Sequence, residues 1–235
     1  MLAGALAGLV ACGFAWIFGE PQIDLAIGFE RHIRALAGAA SERELVSRAA
    51  QSTAGLLTGI LVYGCALGGI FSLVFACAYG RIGRLSPRAI AAMLAALGFA
   101  TLIFVPQIKY PANPPSIGAP ETIGARTALY FMMDALSVIA AVAATSTARQ
   151  LARRLGGWNS AVVGGAAYLV VMTVAMLILP TVNEVPANFS ATTLWNFRAA
   201  SLGVEAVLWT ALGLIFGVLA ERLRIPPSTR SIIGA

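Results

Sequence analysis

Ten carboxylates and one histidine are what this chain can offer a cation, and their spacing narrows what each can do. Glu20 and Asp24 lie four residues apart in Glu20-Pro21-Gln22-Ile23-Asp24. Proline suits the first position of a helix, where its missing N–H would have no partner anyway, so both carboxylates would share one helical face and could hold one cation between them. His32 falls two turns further on, about 12 Å along the axis. It would need ligands from another segment, and Asn183 and Glu184 are the nearest in chemical type. A solvated amphipathic helix is the alternative for this whole stretch.

Two further acids sit inside apolar runs. Asp134 and Glu205 lie eight and seven residues past Arg126 and Arg198, which on two helices entered from the same side sets both at roughly 10–12 Å depth. Ionisable groups at such depth are costly and mark ion or proton pathways. Paired, they could bind a divalent cation or share a proton; apart, each could be a structural hydrogen-bond partner of Thr, Ser or Trp. Asn113 belongs to Lys109-Tyr110-Pro111-Ala112-Asn113-Pro114-Pro115, whose prolines hold their neighbours extended, making a rigid lid with carbonyls free to face a cavity. Asn113, Asn183 and Glu184 are oxygen donors suited to hard or borderline cations. Lys109 would repel a metal, so with Tyr110 it is assigned to a structural lock, its ammonium paired with Glu20 or Glu184.

What must position these groups is helix buried in lipid. Apolar residues make up 59% of the 235-residue chain and charged ones 11%, against roughly 45–50% and about 25% in soluble domains; the mean hydropathy is +0.83. A span needs about 20 apolar residues. Six are expected, over 1–18, 56–79, 88–106, 127–148, 160–180 and 200–220, or five if the first is not retained, with an outer amphipathic segment over 20–48. The fold class is therefore an all-α polytopic transmembrane bundle forming a single membrane domain. The first run begins at Met1 without the basic stretch of a secretory signal. With both termini cytoplasmic, the inner loops hold nine arginines against the one acid Glu221, and the outer loops seven bases against seven acids. The positive-inside rule favours that orientation, and it accounts for the net charge of +6 without any nucleic acid.

The spans pair into three hairpins. Proline motifs follow the odd spans, and Arg48, Arg126 and Arg198 precede the even ones at intervals of 78 and 72 residues. Related hairpins are one reading; ordinary alternation in any six-span protein is the other. Gly4 and Gly8, Gly55 and Gly59, Gly64 and Gly68, and Gly213 and Gly217 are small pairs that allow close helix approach. Cys12, Cys65 and Cys77 all fall in spans and form no metal or redox pair. Neither nucleotide-binding signature is present, and no nucleophile–base pair is visible, so no enzyme is expected.

At its loops the chain resembles the CbtA family of probable cobalt transporter subunits. The matching stretches are Gly19-Glu20-Pro21-Gln22-Ile23-Asp24, Gln51 through Gly59, Tyr63-Gly64, Tyr79-Gly80-Arg81, Lys109 through Pro115, Thr122-Ile123-Gly124 with Arg126 through Tyr130, and Leu179-Pro180 with Asn183-Glu184-Val185-Pro186. The resemblance implies a permease subunit of the bacterial inner membrane taking up Co2+ for cobalamin synthesis, with no resident cofactor. It also implies a small single-span CbtB-like partner carrying a histidine-rich end. That partner would supply imidazole, the preferred ligand for such metals, which this chain offers only at His32. A non-transporting membrane scaffold or accessory subunit is the alternative.

Overall fold

The computed structural model describes residues 1–38, 45–83, 85–115 and 117–223. Residues 39–44 of the expected outer segment, and Arg84, Arg224 and Arg230 of the basic set, lie outside the described residues. Those described are helical or irregular. In order they form α1 (Leu2–Phe14), α2 (Glu20–Leu36), α3 (Arg48–Ala50), α4 (Leu56–Ala78), α5 (Pro87–Gly98), α6 (Val105–Lys109), α7 (Ile123–Ile178) and α8 (Ala191–Arg222), with π-helical turns over Ala15–Gly19, Gln51–Gly55 and Phe99–Phe104.

Five stretches are long and apolar enough to cross a membrane: Leu2–Leu36, Arg48–Ala78, Pro87–Lys109, Pro120–Ile178 and Ala191–Arg222. One of them does so twice. As a straight rod the 56 residues of α7 would reach about 84 Å, against a hydrocarbon core of about 30 Å. Gly156 instead adopts φ +78° and ψ 165°, a left-handed conformation open mainly to glycine, and the helix doubles back. Ser137 and Tyr168 would be about 46 Å apart on a continuous helix, yet their hydroxyls meet at 2.8 Å. The limbs 123–155 and 157–178 are thus the expected fourth and fifth spans. Counted that way, six stretches among the described residues have about the length and apolarity of a crossing.

Pro21 falls in the first turn of α2, as its fit to a helix's first position suggests, but the helical backbone reaches it unbroken from α1 through the π turn. In a continuing helix its missing N–H leaves a carbonyl one turn back without its donor, and the π turn just before it is the kind of break that absorbs this.

The chain divides into two compact units. The first comprises Met1–Ile17, Glu44–Leu97 and Gly203–Ala235; the second, Phe18–Arg43 and Gly98–Leu202. In the first unit α1 and α4 run antiparallel, with Gly4 against Gly64 and Gly68, and Gly8 against Ile60. A Cβ on Gly64 would come within 2.5 Å of the Gly4 carbonyl oxygen, so nothing larger than glycine fits. The inner half of α8 packs on α5 in the same manner, Gly213 by Ala95 and Gly217 by Arg88. Phe216 closes onto Phe71 and Phe75 at ring separations of 5.1 and 5.0 Å, and an Arg88–Glu221 ion pair ties the helix ends. Gly55 and Gly59 meet no neighbouring helix among the described residues.

In the second unit Val105, Met133, Ala140 and Met172 form the core, with Tyr110 and Tyr168 against it. Ser137 is fully buried and donates to the Thr101 carbonyl at 2.5 Å, satisfying a polar group that would otherwise be costly in lipid. Large side chains such as Ile139 and Leu177, 65% and 80% exposed, would be untenable in water but suit acyl chains. In the same unit α2 lies against the proline-rich loops: Ala26, Ile117 and Phe189 form a second core, and Phe29 meets Phe189 edge-on at 5.0 Å.

Candidate functional site

Two loops, 110–119 and 180–190, carry most of the outer chemistry, and both belong to the second unit. Proline shapes each of them. Pro111, Pro114 and Pro115 break the helix that ends at Lys109, and Pro180 and Pro186 do the same after Ile178. Extended backbone leaves carbonyls without ladder partners, so side chains take them. Tyr110 donates its hydroxyl to the Pro180 carbonyl at 2.8 Å, with burial pushing that hydroxyl's pKa up. Arg198 donates from Nε to the Ala112 carbonyl at 3.2 Å and from Nη2 to Asn113 Oδ1 at 2.8 Å. Arg126 donates from Nη2 to the Ala119 carbonyl at 3.3 Å.

Glu184 is held from three sides. Its Oε2 accepts from the Ala119 N–H at 2.8 Å and lies 3.3 Å from Arg126 Nε, in charge contact without hydrogen-bond alignment. The Thr122 hydroxyl, the Ala119 N–H and the Arg126 guanidinium hold its carboxyl below the ordinary 4.5. Gly118 makes the arrangement possible: at φ +107° a Cβ there would strike the Arg126 guanidinium, 2.6 Å from Nη1. These groups wall a cavity of about 340 Å3 lined by Gln107, Tyr110, Asn113, Arg126, Tyr130, Asn183 and Arg198 among others.

Of the lock assigned to Lys109 and Tyr110, the Tyr110 hydroxyl reaches the second loop at the Pro180 carbonyl, and the cation beside Glu184 is Arg126. Charge type alone could not choose between Lys109 and Arg126, because the pairing spans 58 residues and is set by where α7 starts. Arg126 and Arg198 are the residues that sequence reasoning used as landmarks and left out of the site. Their recurrence just before two spans was the available signal.

The remaining candidates divide by location. Glu20 is buried at the start of α2, while Asp24 and His32 are exposed further along it. Asn113 is half-buried and Asn183 exposed. All five share the second unit with Glu184 and Asp134. Asp134 sits one residue from Met133 of that unit's core, and its Oδ1 is buried without a hydrogen-bond partner among the described residues. Glu205 belongs to the first unit, where Tyr63 and Trp209 point hydrogen-bond donors at its carboxylate, although neither its buried Oε2 nor the Trp209 Nε1 has an aligned partner among the described residues. Among the described residues no three His, Cys, Asp or Glu side chains gather closely enough to hold a metal ion.

Long apolar helices, proline-rich polar loops and two carboxylates embedded in the apolar stretches define a polytopic membrane protein with the makings of a transporter subunit. The chain matches the model of the family described as probable cobalt transporter subunit (CbtA) over residues 1–221, and it belongs to that family. No curated protein and no solved structure matches it.

Proposed function

We propose that this chain is the permease subunit for uptake of a divalent transition-metal cation, Co2+ destined for cobalamin synthesis, across the bacterial inner membrane. The observation that supports the reading, beyond family membership in a cobalt transport system, is the pair of span-embedded carboxylates, each with one buried oxygen that lacks an aligned hydrogen-bond partner among the described residues. An orphan carboxylate oxygen in hydrocarbon is destabilising and is tolerated where a cation or proton visits it. Asp134 in one unit and Glu205 in the other would be passed in transit, with Glu20, Asp24 and His32 on α2, and Asn113, Asn183 and Glu184 on the loops, as the outer donors. Capture would fall to a small single-span CbtB-like partner whose histidine-rich end supplies the imidazoles. No step calls for catalysis or a resident cofactor.

One observation favours the second reading, a non-transporting scaffold or accessory subunit. Asn113 and Glu184 are already engaged by arginines, so a cation could use them only by displacing guanidinium groups. Uptake of labelled cobalt by cells expressing this chain with and without the partner separates the two. Transport predicts a clear loss in Asp134→Asn, about tenfold or more if the carboxylate holds the ion, with a smaller loss in Glu184→Ala. Uptake that equals empty cells for wild type and both variants refutes the permease.

A further inference from the structure

The cavity under the outer loops is lined by two guanidinium groups and, among the described residues, by no carboxylate. Among the described residues Arg198 hydrogen-bonds to neutral oxygens, the Ala112 carbonyl and Asn113 Oδ1. Arg126 has Glu184 beside it, approaching from the loop behind at 3.3 Å. Two positive charges against one leave this pocket net cationic, and a partly buried guanidinium without a counter-charge is costly. A divalent ion would reach the donors Asn113 and Asn183 in such a site only with an anion beside it to offset the guanidinium charges. The pocket attracts what arginine recognises best, a planar carboxylate taken by two parallel N–H bonds.

From this we propose that the cavity is a binding site for a small organic carboxylate, either free or as the chelating arm that accompanies a metal ion. The volume of about 340 Å3 lies within the roughly 300–1,000 Å3 of small-molecule sites and admits a di- or tricarboxylate. Gln107, Thr127 and Asn183 line the remaining wall and offer amide and hydroxyl groups to the ligand's other oxygens. Tyr110, fixed to the Pro180 carbonyl, holds the two loops at the spacing the ligand needs. The site stands whether or not cobalt is the cargo.

The test uses the purified full-length chain in lipid nanodiscs at low chloride, titrated with citrate, with cobalt(II)–citrate and with cobalt chloride. Citrate binds wild type saturably, Arg198→Gln weakens it about tenfold, and Arg198→Lys, which keeps the charge, loses less. Asn183→Glu sets a negative charge on the wall at an exposed position that does not threaten folding, and it weakens citrate as well. A free carboxylate as ligand makes citrate and its cobalt complex bind alike; a chelate makes the complex the tighter of the two. Wild type that fails to bind citrate or its cobalt complex at millimolar concentration, or Asn183→Glu that binds as wild type does, overturns the proposal.

Discussion

Glu184 draws on Thr122, the Ala119 N–H and Arg126, and that makes its titration a probe of the proline-rich loops. Thr122, Ala119 and Arg126 all favour the charged carboxylate and keep its pKa below 4.5. A group whose pKa is depressed on folding contributes stability that is fully present above its unfolded pKa, and that contribution is lost as the pH falls through the folded value. The loss for Glu184 accordingly begins near pH 4.5 and grows below it. The thermal midpoint of wild type should fall between about pH 5 and pH 3, and Glu184→Gln should flatten that decline while lowering the midpoint at neutral pH. A Glu184→Gln profile parallel to wild type throughout would mean that the loop pairing contributes nothing. Arg126 and Arg198 are the residues whose role was least legible beforehand. An arginine before a span reads equally as a lipid anchor or as a loop clamp, and only tertiary placement of Ala119 and Asn113 decides.

At the scale of helices, small residues divide sharply by location. Gly4 and Gly64 stand where two backbones touch, whereas Gly13 and Gly59 have open space where a Cβ would go. Glycine costs a helix roughly 0.5–1 kcal/mol relative to alanine. Gly13→Ala and Gly59→Ala should thus be neutral or mildly stabilising, while Gly64→Ala must push α1 from α4 and should cost about 1–3 kcal/mol, the usual range for overpacking. Thermal midpoints in detergent read the sign directly, and equal shifts at Gly59 and Gly64 would contradict the packing. Gly55–Gly59 and Gly64–Gly68 have identical small-xxx-small spacing in the sequence, so periodicity alone could not tell a packed face from a lipid-facing one. Span positions were legible because apolarity over about 20 residues is a coarse, additive signal. The run from α1 into α2 was not, since Pro21 fits the first turn of a new helix and the continuation of an old one beyond a π turn equally well.

For the whole molecule, sidedness follows from the turn at Gly156. If α7 crosses once, five crossings are expected; if its two limbs, doubled back through the Ser137–Tyr168 contact, each cross, six are. Six crossings put the basic turn around Arg153 and Arg154 in the same compartment as Arg81 by alternation, and the positive-inside bias predicts that this compartment is the cytoplasm. On a background lacking Cys12, Cys65 and Cys77, single cysteines report this through a membrane-impermeant maleimide applied to intact cells. Asp24→Cys and Asn183→Cys, both at exposed outer positions, should label, whereas Arg81→Cys and Arg154→Cys should label only after the membrane is opened. Labelling of Arg154→Cys from outside would place the Gly156 turn with the proline-rich loops. The carboxylates of α2 and the 180–190 loop would then no longer share an entrance free of the arginine-rich turns, and cation entry from that face would lose its electrostatic basis.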